Sequence, residues 1–196
     1  MTHSKMDPRV IRTRKSMMDA FIKLSEEKEF KDITVKDITT EAMINRATFY
    51  YHFEDIYDLL EKALSEVLLI NLNYENFQSE RLTEETIGAI FEAVTDFQQS
   101  LSYRCHRGYE ETISRIIIEQ LEVVFYKMLL AQKAAEEDEA SRITAVMLSW
   151  GIYGASVEWK RQGKISPKEY IKAAVPYIRY GLEADAKIAD NIIEKN

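Results

Sequence analysis

Cys105 and His106 are the pair in this chain best suited to nucleophilic chemistry, but sequence neighbours have poor geometry for a nucleophile and its base. The three histidines are scattered, with no HxxxH pair, and no glycine-rich phosphate loop occurs, so neither metal nor nucleotide chemistry is supported. A single cysteine permits no internal disulfide and leaves a structural zinc short of soft ligands. No catalytic residue, metal or cofactor is therefore expected. What stands out instead is NRATFYYHFED, Asn45 to Asp55, in which Tyr50, Tyr51, His52 and Phe53 follow one another. Such a run either packs into a helical core or touches something outside the protein.

The elements that would carry it are helices. Asp7-Pro8 reads as an N-cap with proline at the first helical position, and Met17, Ala20, Phe21 and Leu24 give a first helix from about Pro8 to Lys28 one apolar stripe. Phe30 follows as a plug for the core. Thr34 and Asp37 form a capping box for a short second helix, and Asn45 caps a third through Phe53. Two helices of about two turns, joined by three or four residues, make a helix-turn-helix. Acids at Glu54 and Asp55 open a fourth helix carrying Ile56, Leu59, Leu60, Ala63, Leu64 and Val67.

The polar stretch from Asn71 to Arg81 reads as a connection to a larger body. There, helical patterns run from Thr83 to about Leu101, from about Glu110 to Ala131 and from about Glu137 to Gln162. They are separated first by a turn around Gly108. Gly163 stops the last of these, and Ser166-Pro167-Lys168-Glu169 starts another. No strand-like alternation, internal repeat or low-complexity segment is visible. The expected fold is all-α, with about eight to nine helices. A three-helix amino-terminal domain, residues 1–54, leads into a larger helical domain, residues 55–196.

Of 196 residues, 26 are Lys or Arg and 33 Asp or Glu, a net charge of -7, which is unusual for a nucleic-acid binder. The average hides a split. Residues 1–53 hold ten basic against eight acidic side chains, while residues 54–196 hold sixteen against twenty-five. Within the first fifteen, Lys5, Arg9, Arg12, Arg14 and Lys15 face only Asp7. No apolar run approaches the roughly 18 residues that cross a bilayer, and the first residues lack the apolar block of a secretory signal. A cytoplasmic protein without membrane contact is expected.

The front end, RTRKSMMDAFIKLSEEKEFKDITVKDITTEAMINRATFYYHFEDIYDLLEKAL, resembles the DNA-binding domain of the TetR family of bacterial transcription regulators, most specifically in ATFYYHFEDIYDLL. WGIYGASVEWKRQGKISPKEY is similar to the penultimate helix and turn of one subgroup. The resemblance implies a homodimer, paired through its last two long helices, that presents two helix-turn-helix units to a palindromic operator on double-stranded DNA. Thr34 to Ala42 would be the first helix of the motif and Asn45 to His52 the recognition helix. Phe49 and Phe53, four apart, should share a buried face, leaving Tyr51 nearly opposite with Ala47 and Thr48 beside it, and Arg46 and Tyr50 on a flank. By resemblance Thr48, Tyr50 and His52 match phosphate-holding positions, while Arg46, Ala47 and Tyr51 lie where bases or their backbone are met. A guanidinium can bond a guanine edge twice, which makes Arg46 the candidate for direct readout. Lys36, Arg9, Arg12 and Arg14 are candidates for phosphate contacts, which add salt dependence rather than specificity.

Three positions depart from the family's habit. Glu29 and Met43 stand where many relatives have glycine, so the turn at Met43 is expected to differ in geometry. Ile56 replaces a lysine that grips phosphate, and Glu54 adds a negative charge nearby.

The resemblance further implies a small-molecule effector in the body, although some relatives respond to a protein partner instead. Phe91, Tyr103, Tyr109, Phe125, Trp150 and Tyr153 are the candidate pocket residues. Gly151, Gly154 and Ala155 would let two helices approach closely, and the helices at about Ala140 to Gln162 and Ser166 to Ala184 are the expected dimer interface.

Overall fold

A computed structural model describes residues 7–72, 81–102, 109–133 and 139–178. Residues 73–80 of the expected connection, Tyr103, Cys105, His106 and Gly108, and residues 179–196 lie outside the described residues, while Asn71 is the last residue of the fourth helix. All elements described are helical: α1 (Pro8–Glu27), a 3-10 turn (Phe30–Asp32), α2 (Val35–Glu41), α3 (Arg46–His52), α4 (Ile56–Asn71), α5 (Glu84–Ser102), α6 (Glu110–Lys133), α7 (Glu139–Gln162), and a last stretch, α8, at residues 167–178. The chain divides into two compact units. The first, the head, joins the residues up to Leu69 with Gln98–Ile116, and the second joins Ile70–Phe97 with the residues from Ile117 on.

The head is built from capped, short helices around aromatic rings. The Asp7 carboxylate accepts the Arg9 N–H at 2.8 Å and starts α1, whose Met17 and Phe21 are fully buried. The Phe30 ring closes that face, 5.3 Å from Phe21 between centroids. Thr34 and Asp37 form the expected box: Asp37 accepts the Thr34 N–H at 2.9 Å, and the Thr34 hydroxyl accepts the Asp37 N–H at 3.2 Å. Asn45 accepts the Thr48 N–H at 2.8 Å to start α3, and Asp55 accepts the Asp58 N–H at 2.9 Å to start α4.

The beginning of α6 belongs to this unit as well. Tyr109, just before it, sets its ring edge-on to Phe30 at 5.7 Å and stacks on Tyr57 at 6.0 Å, while Arg115 pairs with Glu61 of α4. Aromatic contacts of this kind add about 0.5–1.5 kcal/mol each beyond the area they bury.

In the second unit, Ile87, Phe91, Val94, Leu121, Phe125 and Met128 supply the large buried side chains from α5 and α6. α7 turns a narrow face inward, with Ser141, Ala145, Ser149, Ile152, Ser156 and Trp159 buried. Its serines are satisfied locally, since Ser149 donates to the Ala145 carbonyl at 2.7 Å and Ser156 to that of Tyr153 at 2.7 Å. Gly163 ends the helix at φ +57, where its N–H reaches the Trp159 carbonyl at 2.8 Å. Beyond it, the Trp159 indole N–H donates to the Ile165 carbonyl at 2.8 Å, and Ser166 and Glu169 box the start of α8. Tyr170 then stacks on Phe91 at 5.9 Å.

The Thr34 hydroxyl and N–H, followed by Lys28, hold the Asp37 carboxyl at about 2, below its ordinary 3.8. Because the folded value is the lower one, this stabilisation is present above the ordinary value and is lost as pH falls toward 2. Asp37→Ala is expected to cost about 0.5–2 kcal/mol at pH 7, as loss of a cap does. Thermal melts followed by circular dichroism should show the difference from wild type shrinking in acid. A gap as wide at the acid end as at pH 7 would refute the charged box.

Candidate nucleic-acid interface

The seven residues of α3 are too few to hold a helix alone, so Asn45 at one end and two buried rings fix it. Phe49 and Phe53 are fully buried, 5.8 Å apart, and that burial turns the opposite face outward. Arg46, Ala47, Tyr50 and Tyr51 are exposed, Tyr51 by 76%. Thr48 and His52 are partly covered at its edges. The structure thus brings the expected α3 residues onto one accessible surface. Lys36, in the first turn of α2, and Arg9 and Arg12, in the first turns of α1, are exposed too.

Several of these side chains are already oriented. The Arg46 guanidinium donates to the Tyr50 hydroxyl at 3.3 Å and lies 5.7 Å from that ring's centre, so both groups share one flank of α3. Asn45 accepts from the Thr48 hydroxyl at 3.0 Å as well as from its N–H. Its amide NH2, by contrast, makes no hydrogen bond among the described residues. Partial burial, and then the nearby Arg14 guanidinium, push the His52 imidazole below its ordinary value, which favours the neutral ring with one N–H to offer.

Arg14 makes a contact that its place in the sequence does not reveal. Grouped with the basic residues of the front end, it in fact lies over the Phe53 ring at 4.9 Å, with Lys62 of α4 at 5.7 Å from the same ring. It thereby ties α1 to the end of α3. No local spacing could reveal a contact between residues thirty-nine apart in sequence.

Met43 departs from expectation in an instructive way. The turn keeps a positive φ, +53, although the residue is methionine and 91% exposed. The Ile44 N–H reaches the Thr39 carbonyl at 3.0 Å and the Met43 N–H that of Thr40 at 3.2 Å, the paired bonds of a Schellman stop. These bonds impose the left-handed residue whatever its side chain.

Five of the six candidate pocket residues are described. Phe91 and Phe125 are buried in the second unit and Tyr153 is partly buried there, but Trp150 is 59% exposed. Tyr109 belongs to the head, against Phe30 and Tyr57, and Tyr103 is not described. Aromatics at helical spacing do not reveal from sequence which face they take. Two cavities in the second unit, of about 400 Å³ beside Glu92, Lys168 and Ile171 and about 650 Å³ beside Trp159, Tyr170 and Tyr177, are lined by none of the six. Among the described residues no cluster of His, Cys, Asp or Glu could hold a metal ion, and no helix is long and apolar enough to cross a membrane.

Glycine at position 43 would relieve a conformation that L side chains adopt at a cost of roughly 1–2 kcal/mol, partly offset by its greater entropy loss on folding. Met43→Gly is expected to raise stability by roughly 1 kcal/mol in guanidinium denaturation, and Met43→Ala to give no such gain. Equal effects of the two would show that the turn is unstrained.

Residues 18–63 match the family described as bacterial regulatory proteins, tetR family. Over 61 residues, 31% of this chain, the sequence is 41% identical to the helix-turn-helix transcriptional regulator YxbF of Bacillus subtilis, and that match spans 16% of YxbF. It is 23% identical to IcaR, the negative transcriptional regulator of a biofilm operon in Staphylococcus aureus, covering 63% of this chain and 88% of IcaR. In three dimensions it is similar to DhaS, a dihydroxyacetone kinase operon activator, with a TM-score of 0.55 at 20% identity over 91% of this chain and 98% of DhaS. The amino-terminal helices, over residues 18–63, are therefore the helix-turn-helix DNA-binding domain of the tetR family of bacterial regulatory proteins.

Proposed function

We propose that this regulator is a repressor that binds a palindromic operator as a homodimer and is released by a small-molecule effector held in its second unit. The observation that carries the reading is the outward face of α3, where Arg46, Ala47, Tyr50 and Tyr51 stand exposed on a helix whose other face is locked by Phe49 and Phe53. In the major groove, Arg46 would read a guanine edge, while Thr48, Tyr50, His52, the Asn45 amide and Lys36 would hold phosphates. Arg9 and Arg12 would add sequence-independent attraction. Repression accords with IcaR, which is named a negative regulator.

A dimer is supported by the outer face of α7. Ile143, Met147, Trp150, Gly154 and Val157 follow one another in alternating steps of four and three, the spacing of a helix seam, and all are exposed. A Cβ added at Gly151 or Gly154 would meet nothing within 4 Å, leaving room for a second helix to approach. A head on each protomer then reaches successive major grooves if half-sites lie about 34 Å apart or at a multiple of it. An effector is supported by Tyr126 of α6, whose hydroxyl is buried without a hydrogen-bond partner, a state that a polar ligand atom would relieve. The same reading places the protein in the cytoplasm, with its DNA.

Footprinting on the intergenic DNA beside the gene would identify the operator. On that operator Arg46→Ala is expected to lose about 1–3 kcal/mol of affinity per head, chiefly at one base pair, with folding and dimerisation intact. Unchanged affinity in a titration would sink the assignment of α3. Separately, Met147→Glu with Trp150→Glu should convert a dimer to a folded monomer in sedimentation experiments. A doubly substituted protein that still sediments as a dimer would move the interface elsewhere.

A further inference from the structure

Three carboxylates follow the exposed helix α3, and two of them have evident structural work. Asp55 accepts the Asp58 N–H at 2.9 Å, and Asp58 in turn accepts the Glu54 N–H at 3.1 Å and pairs with Lys62. Those contacts build the start of α4. Glu54 takes part only through its backbone. Its side chain is exposed and, among the described residues, makes neither a hydrogen bond nor an ion pair. The two cations near the end of α3 do not offset it directly: Lys62 is engaged by Asp58, and Arg14 lies against the Phe53 ring.

Chain geometry alone sets how close that charge stays to the proposed interface. Consecutive Cα atoms are about 3.8 Å apart, so the Cα of Glu54 lies within about 7.6 Å of that of His52 and about 11.4 Å of that of Tyr51. Both Cα separations are comparable with a Debye length of about 8–10 Å in physiological salt, so a carboxylate turned toward the end of α3 acts on phosphates held there.

We propose that Glu54 is an affinity-setting residue: its unneutralised carboxylate opposes the phosphate backbone and holds down the head's affinity for DNA of any sequence, leaving base preference untouched. This rests on the reading of α3 as the DNA-binding helix. A charge that touches no base edge carries no sequence information, and its repulsion acts on operator and random DNA alike. The consequence is a regulator that leaves DNA at a lower salt concentration than its basic groups alone dictate.

The test uses the full chain and a random-sequence duplex of about 30 base pairs, long enough for one dimer, followed by fluorescence anisotropy across a salt series. At about 50 mM salt Glu54→Gln is expected to bind about three- to tenfold more tightly than wild type, and the gain should fade toward 0.5 M as screening shortens. Glu54→Asp, which keeps the charge, should bind like wild type, and melts should show both variants equally folded. A Glu54→Gln protein no tighter than wild type at low salt overturns the inference, as does a Glu54→Asp protein as tight as Glu54→Gln. In both those cases the wild type still binds DNA, and the reading of α3 survives. A wild type that does not bind the duplex at any salt overturns that reading and the inference together.

Discussion

The burial of Phe49 and Phe53 is the constraint on which the exposed surface of α3 depends. Seven residues lie well below the roughly 12–15 that an isolated helix needs to persist in water, so α3 exists because its two rings are held from below. Completely burying such a ring is worth about 1.5–3 kcal/mol, several times what helix propensity supplies over so short a stretch. The rings also fix rotation about the helix axis. With positions 49 and 53 pinned inward, a helical period of 3.6 residues leaves Tyr51 outermost and Arg46 and Tyr50 on one flank, where they meet each other.

An acidic chain with a DNA-binding head looks contradictory until its charges are sorted by what they touch. Asp7, Asp37, Asp55 and Asp58 sit at helix starts, where their oxygens accept backbone N–H groups and their charge meets the positive end of a helix dipole. Lys23, Lys28 and Lys31 are in turn paired with Glu41, Asp37 and Glu29. Arg9, Arg12 and Lys36 are exposed and make no ion pair among the described residues, and Arg46 meets only a neutral phenol. The small excess of basic over acidic side chains in residues 1–53 therefore understates the positive charge available to an incoming phosphate.

Much of this was legible in the sequence because it is local. The caps at Asp7, Thr34, Asn45 and Ser166, the stop at Gly163 and the paired rings of α3 all follow from residue types at fixed short spacings, and the structure realises each. The contacts that escaped the sequence are long-range. Arg14 meets Phe53, and Tyr109 meets Phe30 and Tyr57. Helical periodicity says that an aromatic has a face but not which neighbour will cover it.

The turn between α2 and α3 shows how firmly that interface is set. Glycine at position 163 accepts a positive φ without penalty, whereas Met43 accepts nearly the same φ against its own preference. Two backbone bonds at the end of α2, the Asn45 cap two residues on, and the buried rings beyond it jointly over-determine the path of the chain. A side chain that merely disfavours the turn by a kcal/mol or so cannot open it against those constraints. Sequence change near α3 therefore has little freedom to alter the angle between the motif's helices. What it can readily alter is the charge those helices carry, and in this chain exposed charge stands both on the rigid motif, at Lys36 and Arg46, and beside it, at Arg9, Arg12 and Glu54.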